Sequence, residues 1–416
     1  MMATRTATRR TLLSALVGAG VATLVGCDPT GSRVAAVPPD PLLLELADGV
    51  ALLRGAERQV IPHAVAAADG RSVYASAPEG ADTAFWRIET ATGVASARVR
   101  LPGRWVPQTV SADGTWVALT TEAVSVTAAS PAGRDVTPVL IADADGVRQR
   151  LRLPGNVVPE AFSHDHRGLF VLEWLPPQAP DRYRVRVVDL ATGVAGPLQT
   201  RLKQTIPADA EEEMRGDGRQ AVLAPDRRVL YTLYTHQPDH RHTRDRISGR
   251  PGRDVHAFVH TLHLHERWAF CVDLPHPFGE GPADGHAMAI APDGSRLYVA
   301  DLTSGTVAEI STEELTVRRT AAVPVASGPA YATADDDRLF LGGAGVVRTV
   351  DAVGLRVVAE RPVDAPVSGL LLGPDSGRLY VGGRDALRWL DPASGAELGR
   401  AAVPGLVGLR GPVSSS

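Results

Sequence analysis

The chain has 416 residues, of which 44% are hydrophobic and 22% charged, a balance typical of globular proteins and not of disordered ones. The formal net charge is −4, with 43 basic and 47 acidic residues, so the strongly basic surface of a nucleic-acid-binding protein is excluded. The 41 glycines and 32 prolines interrupt any long helical pattern and favour a turn-rich, all-β fold.

The N-terminal segment has the features of an export signal. The stretch TRRTLLS (residues 8–14) resembles the twin-arginine export motif, with Arg9 and Arg10 as the paired arginines. An apolar run over residues 11–26 follows, shorter than the roughly 20 residues that a membrane-spanning helix needs. It ends in LVGC, which resembles a bacterial lipobox and implies a diacylglycerol on Cys27. The alternative is an ordinary secretory signal with a chance cysteine.

These features predict four segments. We expect a cleaved signal peptide over residues 1–26, a Pro/Gly/Ser-rich tether over 27–41, a folded domain over 42–410 and a disordered tail over 411–416. The protein is then expected outside the cytoplasm, held to the cell membrane by lipid, and monomeric. With Cys27 lipidated, Cys271 is the one remaining cysteine, so neither a disulfide nor a cysteine-based zinc site is expected.

One unit recurs along the folded domain. Its clearest copies are APDGSRLYVAD (residues 291–301) and GPDSGRLYVGG (373–383), in which a turn leads into an alternating strand. Seven copies carry a turn aspartate, and these are spaced 40 to 67 residues apart: Asp69, Asp113, Asp165, Asp226, Asp293, Asp335 and Asp375. A unit of about 40 residues with insertions is typical of a four-stranded propeller blade.

The stretch PDGSRLYVADLTSGTVAEI is similar to the YVTN-type repeat of bacterial surface and periplasmic β-propellers. The resemblance implies the fold and says little about function, because such propellers include binding proteins, lactonases and lyases. Seven motifs predict seven blades. Residues 42–55 form an extra predicted strand pair that would complete a blade begun by the C-terminal LVGLRGPV, so a ring of eight blades stays open.

The first strand of each propeller blade lines the central channel, so aligned first strands show which side chains meet at its entrance. A polar residue precedes a small and an apolar one in six copies: His63, Gln108, Glu160, Gln220, His286 and Ser368. Polar side chains on buried strands need water or a partner, which a channel mouth supplies. We predict that these six bind a ligand and that His63, Glu160 and His286 would hold a divalent metal. The alternative is a mouth filled with ordered water.

Residues 235–255, rich in histidine and arginine, are predicted to form a loop between the second and third strands of their blade, on the same rim. His240, Arg241 and His242 are predicted to bind an anion or an acidic partner, because neighbouring arginines disfavour a cation. A solvated basic loop is the alternative.

Residues 256–266 are predicted to form the third strand of that blade. Alternation places His256 and His260 on one face and His263 and His265 on the other, with ordinary packing expected for all four. Cys271 is predicted to be a buried core thiol.

The sequence contains no nucleophile elbow, His-Glu-x-x-His, phosphate loop or haem motif, so no catalytic residue is assigned. The predicted function is a lipid-anchored, extracytoplasmic propeller that binds a small ligand or a cell-envelope protein on its loop-bearing face, without catalysis. The alternative is a hydrolase or lyase, with His63 or His286 as base and Glu160 as its partner or a metal ligand. A divalent metal is the one cofactor considered.

Overall fold

The computed structural model describes residues 35–122, 130–215, 218–238, 240–251 and 254–412. The predicted signal peptide, with Arg9, Arg10 and Cys27, lies outside these residues. The described residues form strands almost throughout, with one short helix, α1 (Thr243–Ser248), and two 3-10 turns, Ala208–Ala210 and Ala283–Gly285. No helix in these ranges is long and apolar enough to cross a membrane.

The strands of the described ranges follow one another in chain order. They are β1 (Leu42–Leu46), β2 (Gly49–Arg54), β3 (Glu57–Ile61), β4 (His63–Ala66), β5 (Ser72–Glu79), β6 (Asp82–Glu89), β7 (Val99–Leu101), β8 (Val106–Val110), β9 (Val117–Thr120), β10 (Val136–Asp143), β11 (Gly146–Pro154), β12 (Asn156–Phe162), β13 (Gly168–Leu175), β14 (Arg182–Asp189), β15 (Val194–Gly196), β16 (Gln199–Thr200), β17 (Gly218–Leu223), β18 (Val229–Thr235), β19 (Phe258–His263), β20 (Trp268–Asp273), β21 (His286–Ile290), β22 (Arg296–Asp301), β23 (Thr306–Ser311), β24 (Thr316–Ala322), β25 (Tyr331–Ala334), β26 (Arg338–Gly343), β27 (Val346–Asp351), β28 (Arg356–Pro362), β29 (Gly369–Leu372), β30 (Leu379–Gly383), β31 (Ala386–Leu390), β32 (Glu397–Ala402) and β33 (Leu406–Pro412).

These strands form the eight blades of a β-propeller. Blade 1 has the order β33-β1-β2-β3, and blades 2, 3 and 4 are β4–β7, β8–β11 and β12–β15. Blade 5 is β17–β20 with β16 added in parallel at its outer edge, and blades 6, 7 and 8 are β21–β24, β25–β28 and β29–β32. The all-β propeller is as predicted, and the ring has eight blades, the number left open beside the seven that the motifs predicted. Blade 1 joins residues 42–55 to the C-terminal strand, as the sequence indicated, and it has no turn motif because its inner strand comes from the far end of the chain.

Alternating side chains build the core between neighbouring blades. In β22, Leu297 and Val299 pack into one cluster with blade 5, while Tyr298 and Ala300 pack into another with blade 7. Both faces of a strand such as β22, which lies between two others in its blade, are therefore buried. This explains why these strands contain so few charged residues.

The two ends of the described chain pack on the ring. Strand β33 closes it by pairing with β1, with Leu409 opposite Leu44. Asp40, inside the predicted tether, accepts a hydrogen bond of 2.6 Å from the Tyr380 hydroxyl of blade 8. The predicted tail from residue 411 starts too early, since β33 continues to Pro412.

Antiparallel pairing places the start of each inner strand beside the end of the second strand of its blade. His63 lies opposite Ser76, and Gly218 lies opposite Thr235. The loops between second and third strands therefore surround the channel mouth, as predicted. The loop after Thr235 contains α1, which the sequence pattern did not predict and which ends at Gly249 in the left-handed conformation.

Candidate functional site at the channel mouth

An open cavity of ≈ 590 Å³ lies where the inner strands of blades 1 to 5 begin. The prediction of a polar channel mouth is met in part, because three of the six aligned residues line this cavity: His63, Gln108 and Glu160. Three charged residues that the alignment did not single out complete its polar lining: Glu45, Arg219 and Arg410.

A short motif positions the three predicted residues. It reads IPHAV (residues 61–65), VPQTV (106–110) and VPEAF (158–162) in three successive blades, with the polar residue directly after proline. Proline cannot donate a backbone hydrogen bond, so it suits the channel-facing edge of a blade. Gln108 and Glu160 are each left without a cross-strand partner at a register shift. Such bulges re-aim a side chain, here into the cavity.

Glu160 of blade 4 forms an ion pair with Arg219 of blade 5. The two side chains are 7% and 6% exposed, so the pair is almost completely removed from water. Arg219 also donates a hydrogen bond of 3.5 Å to the Tyr234 hydroxyl, with its guanidinium 5.9 Å from the centre of that ring. The pair therefore forms a rigid, neutral wall of the cavity and joins two inner strands.

The opposite wall is more open to solvent. Arg410 and Glu45 form an ion pair of 3.3 Å, with side chains 40% and 45% exposed. His63 is half-buried, and Gln108 donates a hydrogen bond of 3.2 Å from Nε2 to the carbonyl of Glu122. Two carboxylates and two guanidinium groups thus balance within the lining, which favours polar ligands without a large net charge.

The remaining three aligned residues lie elsewhere. Gln220 donates a hydrogen bond from its side chain to the backbone carbonyl of His286, between blades 5 and 6. Ser368 precedes β29, and its backbone N–H donates to the carbonyl of Gly382. Strand β17 pairs with β18 without a register shift, so Arg219 rather than Gln220 points into the cavity.

His286 is completely buried and does not line the cavity. Its Nε2 accepts a hydrogen bond of 3.0 Å from the Gly279 N–H, and its Nδ1–H donates to the Pro282 carbonyl at 3.1 Å. Burial lowers the pKa of this imidazole below its ordinary value. The structure therefore does not bring His286 together with His63 and Glu160 as a metal or acid–base set.

The loop between β18 and β19 differs from the solvated basic loop considered as an alternative. His240 and His242 are buried, 6% and 2% exposed, and their rings pack on Phe258 with centroids 4.5 and 4.9 Å away. Arg241 points outward and donates a hydrogen bond to the Arg250 carbonyl. The sequence did not indicate this split, since it follows from the path of the loop around Phe258.

Carboxylates surround His242 on both sides. Its Nε2 lies 2.5 Å from Asp273 Oδ1 and its Nδ1 lies 3.3 Å from Glu212 Oε1. Burial lowers the pKa of His242, but the neighbouring Asp273 and Glu212 carboxylates raise it more, to about 9. The anion site predicted for His240, Arg241 and His242 therefore lacks two of its members, because both histidines already face acidic side chains.

The strand after the loop, β19, is shorter than the predicted 256–266 and leaves His256 and His265 outside it, but its side chains alternate as predicted. Phe258 and Leu262 pack in one cluster with Cys271, and Val259 packs in another. His260 lies on the Phe258 face, and its burial lowers its pKa to about 4. Cys271 is buried as predicted, but its thiol donates a hydrogen bond of 3.1 Å to Glu212 Oε2.

Comparison with known proteins supports the fold. Dihydro-heme d1 dehydrogenase NirN matches with a TM-score of 0.54 at 14% identity, covering 94% of this chain and 78% of that one. Apo AztD from Citrobacter koseri matches with a TM-score of 0.52 at 10% identity, covering 88% and 95% of the two chains.

No protein-family model matches the chain, and no curated protein matches it by sequence. At the identities of the structural matches, the likeness shows a β-propeller and does not extend to ligand or activity.

Proposed function

We propose that this protein binds a small polar ligand in the channel-mouth cavity while lipid on Cys27 holds it outside the cytoplasm. The observation that carries the binding proposal is the cavity itself, whose ≈ 590 Å³ falls within the 300–1,000 Å³ usual for small-molecule sites. The second support is the pre-formed Glu160–Arg219 wall, because a lining held by buried ion pairs loses little freedom when a ligand binds.

The lining chemistry narrows the ligand class. His63, Gln108 and the exposed Glu45–Arg410 pair offer both donors and acceptors to a molecule in the cavity. A ligand with a large net charge would face one unfavourable partner for each favourable one. Zwitterions and compounds rich in hydroxyl groups match such a surface, so we propose amino acids, betaines or small sugars as the class to test.

The binding proposal is tested by thermal unfolding of the purified protein with a panel of amino acids, betaines, monosaccharides and disaccharides. We expect at least one class to raise the melting temperature, because binding to the native state alone stabilises it. For His63→Gln, the ligand concentration that gives the same rise in melting temperature should be at least tenfold higher. His265→Gln is the matched control, since His265 is exposed on the opposite rim, in the turn between β19 and β20.

An equal loss of the shift in both histidine variants, or a ligand shift that His63→Gln leaves unchanged, would contradict the assignment of the cavity. Turnover of the bound compound that is lost in His63→Gln would favour the hydrolase or lyase alternative instead.

The anchoring proposal is tested separately. Cys27→Ser should move the protein from the membrane fraction of its host to the soluble extracytoplasmic fraction, because the acceptor of the diacylglycerol is gone. Arg9→Lys with Arg10→Lys should retain the protein in the cytoplasm if the twin-arginine route is used. A Cys27→Ser protein that still sediments with membranes would rule out the lipid anchor.

A further inference from the structure

A buried cluster of metal-binding side chains lies beside blade 5, away from the channel-mouth cavity. Glu212, His242 and Cys271 each point one donor atom at a common centre, with all three atoms within 4.8 Å of one another. They come from three separate segments: the insertion before β17, the loop between β18 and β19, and strand β20. The fold therefore assembles a set that no local spacing in the sequence reveals.

The distances from Glu212 to the other two donors are within a few tenths of an ångström of those around a small tetrahedral ion. Glu212 Oε2 lies 3.1 Å from Cys271 Sγ, and Glu212 Oε1 lies 3.3 Å from His242 Nδ1. Tetrahedral Zn²⁺, with bonds of about 2.0–2.3 Å to nitrogen, oxygen and sulfur, places its ligand atoms about 3.3–3.7 Å apart. His240 Nε2 lies 3.9 Å from Glu212 Oε2, next to this group of three but not part of it.

A buried nitrogen atom of the cluster points to a ligand. His242 Nδ1 is shielded from water and makes no hydrogen bond, and the same holds for Nε2 of the neighbouring His240. Buried polar atoms without a hydrogen bond are uncommon in folded proteins and call for an explanation. A cation at the common centre would satisfy His242 Nδ1, together with the thiolate and the carboxylate.

Asp273 completes an arrangement that orients a metal-binding histidine. The Nε2–H of His242 donates a hydrogen bond of 2.5 Å to Asp273 Oδ1, which leaves Nδ1 as the nitrogen available to a metal. Asp273 is itself held by Arg244, which donates 2.7 Å hydrogen bonds to Asp273 Oδ2 and to the Cys271 carbonyl. The nearby arginine charge is thus directed at Asp273 and not at the common centre.

A small cavity next to Glu212 and Cys271 offers the ion a route to the cluster. A cavity of ≈ 100 Å³ is lined by Glu212 and Cys271, together with Thr243 and Arg244 of α1. This volume holds a few water molecules, since each occupies about 30 Å³. Asp254, His256 and His276 form the other grouping of such side chains in the described ranges, but Asp254 and His276 are exposed and His256 is half-buried, so solvent competes for the donors there.

We propose that Glu212, His242 and Cys271 bind a Zn²⁺ ion, with the fourth position open to water or another ligand. The mixed sulfur, nitrogen and oxygen donor set suits Zn²⁺ and disfavours Ca²⁺ and Mg²⁺, which require oxygen ligands. The ion displaces the proton of the Cys271 thiol and any proton on His242 Nδ1, which pass to solvent. It then holds the insertion before β17 and the loop after β18 against strand β20, next to the rim of the channel.

The test uses the full chain carrying Cys27→Ser, in which Cys271 is the single thiol. After chelation and dialysis, the protein is titrated with ZnCl₂ and, in parallel, with CoCl₂. We expect one tightly bound zinc per chain, and for cobalt an intense thiolate-to-metal charge-transfer band together with the d–d bands of a tetrahedral site. Because only Cys271 can supply the thiolate, the cobalt spectrum assigns the site without disturbing it.

Substitutions then distinguish the residues that bind the metal from Asp273, which positions one of them. Cys271→Ser and His242→Gln should each lower zinc affinity more than a hundredfold, whereas Asp273→Asn, a positioning residue, should cost about 10–100-fold and keep the stoichiometry of one. His256→Gln is the matched control in the exposed grouping and should bind zinc like the unsubstituted protein.

A cobalt complex without the thiolate band would overturn the proposal, as would zinc binding that persists in Cys271→Ser or disappears in His256→Gln. The result is independent of the channel-mouth cavity, because neither His63→Gln nor the ligand panel touches this cluster.

Discussion

At the scale of single residues, burial decides what a histidine can do. His63 and His286 occupy the same place in the repeat alignment, before an alanine at the start of an inner strand. His63 is half-buried in the cavity lining, whereas His286 is fully buried with both ring nitrogens hydrogen-bonded to backbone. An imidazole held in this way stabilises the turn at Gly279 and is not available to a ligand.

This difference predicts a pH dependence of stability. Burial lowers the folded-state pKa of His286, so below pH 6.5 the unfolded chain binds a proton more readily than the folded one. The contribution to stability is therefore complete above pH 6.5 and decreases as pH falls towards the folded-state pKa. In urea unfolding between pH 7 and pH 5, His286→Gln should lose stability less steeply than the parent.

The amide oxygen of the glutamine can accept a hydrogen bond from the Gly279 N–H, which lets the variant fold. The acidic side chain that faces His286 is Asp301, 3.6 Å from Nε2. His265→Gln, at an exposed position, should retain the parent slope. Parallel curves for the parent and His286→Gln would show that His286 titrates alike in both states.

At the scale of elements, β-bulges and proline determine which side chain each inner strand presents to the channel. Strands β8 and β12 carry an extra residue, Gln108 or Glu160, and this residue points into the cavity. Strand β17 has no such shift, so Arg219 takes the equivalent place and reaches Glu160 of the neighbouring blade. The ion pair is the specific contact between the inner strands of blades 4 and 5.

Breaking that pair should be costly. Arg219→Met leaves the Glu160 carboxylate buried without its partner, and such losses typically cost about 3–5 kcal/mol in unfolding free energy. Adding Glu160→Gln should restore most of the loss, because the uncharged amide is far less costly to bury. A double-mutant cycle by urea unfolding measures the coupling, and additive effects of the two changes would contradict a direct interaction.

At the scale of the whole molecule, the ring depends on a single closing strand. Strand β33 is the inner strand of blade 1 and covers a row of leucines in β1, among them Leu42 and Leu44, both fully buried. Burying one leucine contributes about 1.5–3 kcal/mol, so loss of β33 removes several such contributions and opens the ring.

A chain ending at Gly405 should therefore unfold at a much lower temperature and with less cooperativity than the full protein. A chain ending at Pro412 keeps every paired residue of β33 and is the control. Scanning calorimetry distinguishes the two, and a cooperative transition at the parent temperature for the shorter chain would show that closure by β33 is dispensable.

The all-β propeller, the rim that carries the long loops, and three residues of the channel-mouth cavity are predictable from the sequence alone. These follow from alternating hydrophobicity and turn chemistry, which act over a few residues and repeat about every 40. A proline directly precedes His63, Gln108 and Glu160 in the sequence. This feature distinguishes these three residues, which line the cavity, from Gln220, His286 and Ser368, which do not.

Three features emerge at the level of tertiary structure: the choice of eight blades over seven, the Glu160–Arg219 wall, and the grouping of Glu212, His242 and Cys271. Each of these joins segments that are distant in sequence: β33 with β1, blade 4 with blade 5, and an insertion with a loop and an outer strand. Register shifts and the packing of loops over buried rings set such contacts, and no local pattern records them, because their energy comes from surfaces that meet only after the ring has closed.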